Sequence, residues 1–428
     1  MRKSRFNRRI NQLLLGALIA GSLAACTTLD RKNAVPPELT NQSYIEGMPG
    51  VRYKAWSKTG IQAMIDDIRE GQKEPDAYVN PTKANYLALS GGGDNGAFGA
   101  GLLTGWTERG DRPEFNLVTG VSTGAMIAPF AFLGSDYDYV LKRTFTEVDQ
   151  KDVFIELGLT GALFGDAFAD TSPLYKLISE FITPELLQKI AYEYTQRDRW
   201  LVVATTNLDA GVPVMWNMGK LAAVGTPEAL QLFRKILLAS AAIPGAFPPV
   251  MIDVMADGKH YQEMNVDGGA TTELFLYPAA LSTMAVKQGV VSRYKNRQAY
   301  IIRNARLDSE WRQIERNTLS IMGRAVDQLI QTQGGGDIYR TYLVTQRDGV
   351  GFNLAYIGPD FKTQHKKEFD RHYMNSLFEY ARGLAVAGYP WAHSPPGYEL
   401  PVNEAVNLQV QRQKQALKRY RMQHKQPH

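Results

Sequence analysis

The chain has 428 residues, 44% hydrophobic and 21% charged, a composition that supports a large buried core and excludes an intrinsically disordered protein. Its formal charge of +5 is misleading, because the excess sits at the two ends. Arg2, Lys3, Arg5, Arg8 and Arg9 lie before residue 26, and Arg412, Lys414, Lys418, Arg419, Arg421 and Lys425 follow Glu404; the body between them holds 37 basic against 43 acidic residues, which argues against nucleic acid as a partner.

The basic residues 2–9 lead into the uncharged run Leu13–Ala25. A membrane-spanning helix needs about 20 apolar residues, so this shorter run reads as the core of a signal peptide over residues 1–25. It ends in Leu23-Ala24-Ala25-Cys26, which resembles the bacterial lipobox. Cys26 is the single cysteine of the chain, so no internal disulfide can form, and it is the expected lipidation site. Each acyl methylene buried in a bilayer adds about 0.8 kcal/mol of membrane affinity. Thr27 follows it where an Asp would retain a lipoprotein at the inner membrane. The resemblance therefore implies a lipid-anchored protein of the bacterial cell envelope, at the outer membrane.

Residues 26–80 read as a tether with a short helix. Asn33, Pro36, Pro37 and Asn41 punctuate the stretch to about residue 50, and Ile61, Ile65 and Ile68 share one side of a helix over Lys58–Glu70. From residue 81 to 390 the pattern alternates between strand and helix. Tyr86–Ser90 is a strand, followed by a glycine-rich loop and the helix Phe98–Arg109. Phe115–Thr119 is the next strand, Gly120–Gly124 a turn and Ala125–Leu133 a helix, and Trp200–Thr205 is a third strand fit for a sheet covered on both faces. Pro249–Ala256 and Lys259–Val266 flank the hairpin turn Asp257-Gly258. Strands over Tyr300–Arg303 and Phe352–Ile357 and long helices over Asp308–Gln333 and Lys366–Val386 complete an α/β domain with a largely parallel sheet. Residues 391–428 end in a basic, Gln-rich tail, expected to be solvated.

Three motifs carry the chemistry. Gly91-Gly92-Gly93, in the register Gly91-x-Gly93-x-x-Gly96, follows the first strand and formally matches a dinucleotide-binding loop. That fold needs an acid at the end of the second strand to hold a ribose, and here that strand ends in Val118-Thr119-Gly120. Gly120-Val121-Ser122-Thr123-Gly124 is a G-x-S-x-G motif between strand and helix, the setting of a nucleophile elbow, so Ser122 is the candidate nucleophile. A serine needs a base. The histidines His260, His365, His372 and His393 sit in no evident motif, whereas Asn265-Val266-Asp267-Gly268-Gly269 places a carboxylate at the end of a strand.

In this order the three motifs resemble the patatin-like phospholipase family, over a motif core from 84 to 280. Ala239-Ser240-Ala241-Ala242-Ile243-Pro244 and Phe247-Pro248-Pro249 fit the same resemblance. It implies a three-layer α/β/α fold and a Ser122–Asp267 dyad that hydrolyses carboxylic esters of membrane lipids without histidine, metal or organic cofactor. It also makes Gly91, Gly92 and Gly93 the backbone donors of an oxyanion hole. Asp94-Asn95 departs from the pattern, since many family members place Arg or Lys there. Asp170-Thr171-Ser172 and Asn207-Leu208-Asp209 read as loop caps. A different class of reading is a non-catalytic envelope protein that binds lipid or protein on the same scaffold.

Overall fold

The computed structural model describes residues 31–398, except 56, 72–81, 158–164, 291, 309–310 and 312. The expected signal segment, Cys26 and the basic tail beyond 398 lie outside the described residues. In chain order the elements that matter are β1 (Arg52–Tyr53), α1 (Lys58–Gly71), β2 (Lys83–Leu89), α2 (Gly96–Arg109), β3 (Leu117–Gly120), α3 (Thr123–Leu133), α4 (Asp138–Thr146) and α5 (Gln150–Val153). A short ribbon of β4 (Ile155–Glu156) and β5 (Ala169–Asp170) follows, then α6 (Ser172–Phe181), α7 (Pro184–Arg197), β6 (Trp200–Asn207), β7 (Val212–Asn217), α8 (Met218–Val224) and α9 (Pro227–Ser240). The last third holds β8 (Val250–Ala256), β9 (Lys259–Asp267), α10 (Leu281–Lys287), β10 (Asn296–Arg306), α11 (Thr318–Asp348), β11 (Gly351–Ile357) and α12 (Arg371–Gly388).

The main sheet runs β1-β7-β6-β3-β2-β10-β11, and the β8–β9 hairpin is joined to it through the end of β6. The pairs β6–β3, β3–β2, β2–β10 and β10–β11 are parallel, whereas β1, β7, β8 and β9 pair antiparallel. Alternation along the strands explains the layering. Leu87, Leu89, Val118, Leu201 and Val203 point into the larger core with α2, α3, α7, α9 and α12. Ala88, Val202 and Ala204 face the other way, onto smaller clusters with residues of α1, α11 and the 274–277 segment. This is the expected three-layer α/β/α arrangement.

Three expectations change. The stretch to residue 50 is docked rather than a loose tether: Val35, Ile45 and Met48 are buried, Tyr44 bridges to Met255, and Arg31 holds Asp209 at 2.9 Å. The helix expected over 308–333 begins at Thr318 and continues to Asp348. Gly334-Gly335-Gly336 reads as a helix end because glycine costs about 1 kcal/mol in a helix interior. A Cβ at Gly334, however, would lie 1.8 Å from the guanidinium of buried Arg303, so glycine there is what lets α11 close onto the sheet. Asp337, Ile338, Thr341 and Thr345 then continue the buried face. Finally, α12 starts at Arg371 rather than 366, because Asp370 caps it by accepting from the N–H of His372 and Tyr373. This leaves residues 358–370 as an irregular strap across the top of the sheet.

Candidate active site

The carboxyl ends of the parallel strands β2 and β3 bring the first two motifs together. Gly120 pairs with Leu89 at the end of the sheet, so the glycine loop and the serine turn leave it side by side. Ser122 has φ +54° and ψ −125°, a backbone region that a residue with a Cβ rarely occupies. The surroundings enforce it. The Ser122 N–H donates to Ser240 Oγ at 3.0 Å, and the Ser240 hydroxyl donates to the Ala204 carbonyl at 2.8 Å. Ser240 is fully buried at the end of α9 and ties the elbow to β6. Gly120 and Gly124 are needed because a Cβ on either would meet backbone atoms at 2.3–2.5 Å. Ser240→Ala strands a buried N–H and a buried carbonyl, a cost of roughly 1–3 kcal/mol. We expect a lower Tm together with slower turnover, whereas a latch irrelevant to the elbow would lower Tm alone.

Asp267 ends β9, where Thr205 of β6 pairs with it, and it is 2% exposed. Its Oδ1 accepts from the Gly269 N–H at 2.7 Å. Its Oδ2 is buried and has no partner in good hydrogen-bond geometry among the described residues. Burial pushes its carboxyl up to about 7, while the nearby Ser122 hydroxyl and the Gly269 N–H pull it down. A carboxyl with a spare oxygen beside a serine hydroxyl, titrating near neutrality, has the character of a general base. Apart from the hairpin turn at Asp257-Gly258, with φ +47° and +69°, this is the one strand-ending aspartate of the hairpin.

The glycine loop differs from expectation in one respect. Gly92 and Gly93 have φ +151° and +58°, and no hydrogen bond is described for their N–H groups. Gly91 is different: its N–H donates to the Glu273 carbonyl at 3.3 Å. The reason is that the chain after Asp267-Gly268-Gly269 returns beneath the loop. A Cβ at Gly91 would lie 2.6 and 2.8 Å from the Glu273 carboxylate oxygens, so glycine here lets the Glu273 side chain pack beneath the loop. The Gly91 N–H is thus engaged within the fold, which leaves Gly92 and Gly93 as the donors best placed to face a ligand.

Several supporting residues carry no sequence signal, because their partners lie more than 200 positions away. Asn304 on β10 donates its N–H to Ser90 Oγ (2.9 Å) and its side-chain amide to Ser90 O (2.8 Å), and accepts from the Gly99 N–H (3.0 Å). Asp94 Oδ2 meets His365 Nε2 at 2.7 Å and the Phe369 N–H at 2.9 Å, and Asn95 Oδ1 accepts from the Tyr373 hydroxyl at 2.5 Å. The residues that depart from the family pattern thus hold the strap. The expected caps are present: Asp170 accepts from Ser172 N–H and Oγ, and Asn207 from the Ala210 N–H.

Glu273 carries no local sequence signal. Burial pushes its carboxyl up to about 8; Arg303 opposes the shift, and Asp267 and Asp337 add to it. A raised carboxyl favours the protonated native state, so its contribution to stability is complete below the unfolded value near 4.5 and is lost as pH rises through about 8. Glu273→Gln, which is neutral at every pH, should therefore melt close to the parent at pH 4.5 and increasingly above it by pH 9. A constant difference across that range would contradict the assignment.

A cavity of about 740 Å³ lies elsewhere. It is lined by Met64, Leu117, Trp200, Phe275 and Leu281 on the other sheet face, and Ser122 and Asp267 do not reach it.

The family model described as patatin-like phospholipase matches residues 87–280, which contain Ser122, Asp267 and all three glycines. Comparison with curated proteins gave no match. Among solved structures, that of VipD from Legionella pneumophila aligns at 11% identity with a TM-score of 0.35, over 71% of this chain and 66% of that one. The chain therefore spans about two thirds of VipD's length. With the expected motifs gathered at one end of a largely parallel sheet and the family match laid over them, residues 87–280 form a patatin-like phospholipase domain.

Proposed function

We propose that this protein is a serine hydrolase of membrane-lipid carboxylic esters that works through a Ser122–Asp267 dyad. The observation that carries the reading is the pairing of a strained, buried serine with a buried carboxyl that its hydroxyl approaches and that burial pushes up to about 7. In the first step the Ser122 hydroxyl gives its proton to Asp267 Oδ2 while Oγ bonds to the ester carbonyl carbon. The carbonyl oxygen becomes an oxyanion, placed against the N–H groups of Gly92 and Gly93. One such donor is typically worth about 2.7–4 kcal/mol of transition-state stabilisation. As the tetrahedral species collapses, the ester C–O bond breaks and Asp267 returns the proton to the departing alcohol. Water then attacks the acyl-enzyme with Asp267 again as base, releasing a fatty acid and restoring Ser122.

The substrate class follows from the family, phospholipids, lysophospholipids or related acyl lipids. The anchor follows from Cys26, which on this reading is lipidated and holds the domain at the bacterial outer membrane. Among the described residues no helix is long and apolar enough to cross a membrane. The deciding experiment is labelling of the folded protein with a fluorophosphonate, combined with a hydrolysis screen across headgroups and acyl lengths. Labelling at Ser122 with ester turnover supports the proposal; a folded protein that stays unlabelled and inactive on every ester overturns it and leaves a binding protein. The anchor is tested separately, by fatty-acid incorporation that Cys26→Ser should abolish.

A further inference from the structure

Asp94 poses a problem that the dyad does not solve. It is 2% exposed at the turn of the glycine loop, and the ion pair described for it is with His365. A buried carboxylate is costly unless a positive group compensates it. The imidazole supplies a hydrogen bond and brings charge only when protonated, and the Phe369 N–H adds only a second hydrogen bond.

A third ligand-bearing side chain converges on the same point. Glu368 lies next to Phe369 on the strap, and one carboxylate oxygen each of Asp94 and Glu368 and a ring nitrogen of His365 fall within 4.8 Å of one another. The two halves come from opposite ends of the domain, the turn Gly93–Asn95 and the strap before α12. The imidazole is oriented from behind: its ring packs on Tyr373 at 4.7 Å, and Tyr373 is held by Asn95. Such outer support is a regular feature of histidine ligands. Phe369 keeps φ at +53° where the strap turns between Glu368 and the Asp370 cap, a conformation unusual for an aromatic residue.

We propose that Asp94, His365 and Glu368 bind a divalent transition-metal cation of the zinc class. One imidazole nitrogen and two carboxylate oxygens suit zinc, cobalt or manganese; calcium needs six to eight oxygens, and copper(I) prefers thiolates. Three protein ligands leave a fourth position for water. Bonds of about 2.0–2.1 Å in a tetrahedron set ligand atoms roughly 3.3 Å apart. The Asp94–His365 contact of 2.7 Å therefore opens slightly when the ion replaces the proton between them. His365 can accommodate this because its segment has no regular secondary structure. The ion neutralises Asp94 and clamps the strap to the turn that presents Gly92 and Gly93. It takes no part in the acyl transfer, so the site stands or falls independently of the hydrolase reading.

The test uses the full-length protein, stripped with a chelator and titrated with Zn²⁺ by calorimetry and with Co²⁺ by visible absorption. One ion per chain is expected, with cobalt bands of a four-coordinate site and a higher Tm on zinc addition. Glu368→Gln, at an exposed position, and His365→Ala should each weaken binding by at least about tenfold, while Ser122→Ala should bind as the parent does. Should His365→Ala fail to fold, Glu368→Gln decides alone. Absence of stoichiometric binding, or affinity unchanged in Glu368→Gln, overturns the proposal and leaves Asp94 and His365 as a hydrogen-bonded pair.

Discussion

Ser122→Ala is expected to lower ester hydrolysis by about 10⁴–10⁶-fold while leaving the fold intact, the range seen when a nucleophile is removed from a preorganised serine site. The effect should fall on kcat with KM little changed, since the lost oxygen bonds to substrate only during the reaction. The fold should survive because the interactions that shape the elbow involve the Ser122 backbone N–H and the flanking glycines, not its hydroxyl. Relief of a positive φ is not expected either, because alanine carries the same Cβ. Steady-state kinetics on a chromogenic ester, with thermal melts in parallel, check both halves. Residual activity within tenfold of the parent would remove Ser122 from the reaction.

Asp267→Asn should be nearly as damaging, roughly 10³–10⁴-fold or more, because the amide cannot accept the serine proton yet keeps the shape of the site. The parent's pH profile carries the same information. A base must be ionised to act, and Asp267 is raised to about 7 by burial. Hence kcat/KM should be flat above pH 8 and fall about tenfold per unit well below 7. An acid limb near pH 4 would mean that the carboxyl is not held up as the structure indicates. The histidines provide the control. His393 contacts the Phe352 carbonyl and His372 lies on α12, so alanine at either should leave turnover nearly unchanged. His365 is a different case, since it holds Asp94 in the glycine loop. Its loss should slow turnover without abolishing it, an effect of positioning that is easily mistaken for a missing general base.

These roles were legible to different degrees. The serine elbow and the Asp-Gly-Gly turn could be read because each is a local event: an apolar strand ends, and glycines permit a turn that other residues cannot make. The Asp257-Gly258 hairpin was legible for the same reason. The engagement of the Gly91 N–H could not be read, because the loop's composition does not say which N–H groups face outward, and the acceptor lies 182 positions later. The end of α11 was misread because three glycines look like a stop. The guanidinium of Arg303 packed against Gly334 accounts for the first of them, and a Cβ at Gly335 or Gly336 would meet nothing. Ser240 belonged to a recognised segment, but nothing local assigned its hydroxyl to the Ser122 N–H.

The residue order along the chain was thus sufficient for the layered α/β class, the serine elbow and the strand-ending Asp267, because strand periodicity, turn chemistry and motif order are short-range properties. The environment of those groups was decided by the tertiary structure alone. Burial lifts Asp267 and Glu273 toward neutrality, the charge of Arg303 acts against the shift of Glu273, and His365 arrives at Asp94 from 271 positions away. Desolvation and charge pairing depend on which distant segments exclude water from a side chain, and the sheet order, not the sequence around each residue, sets that.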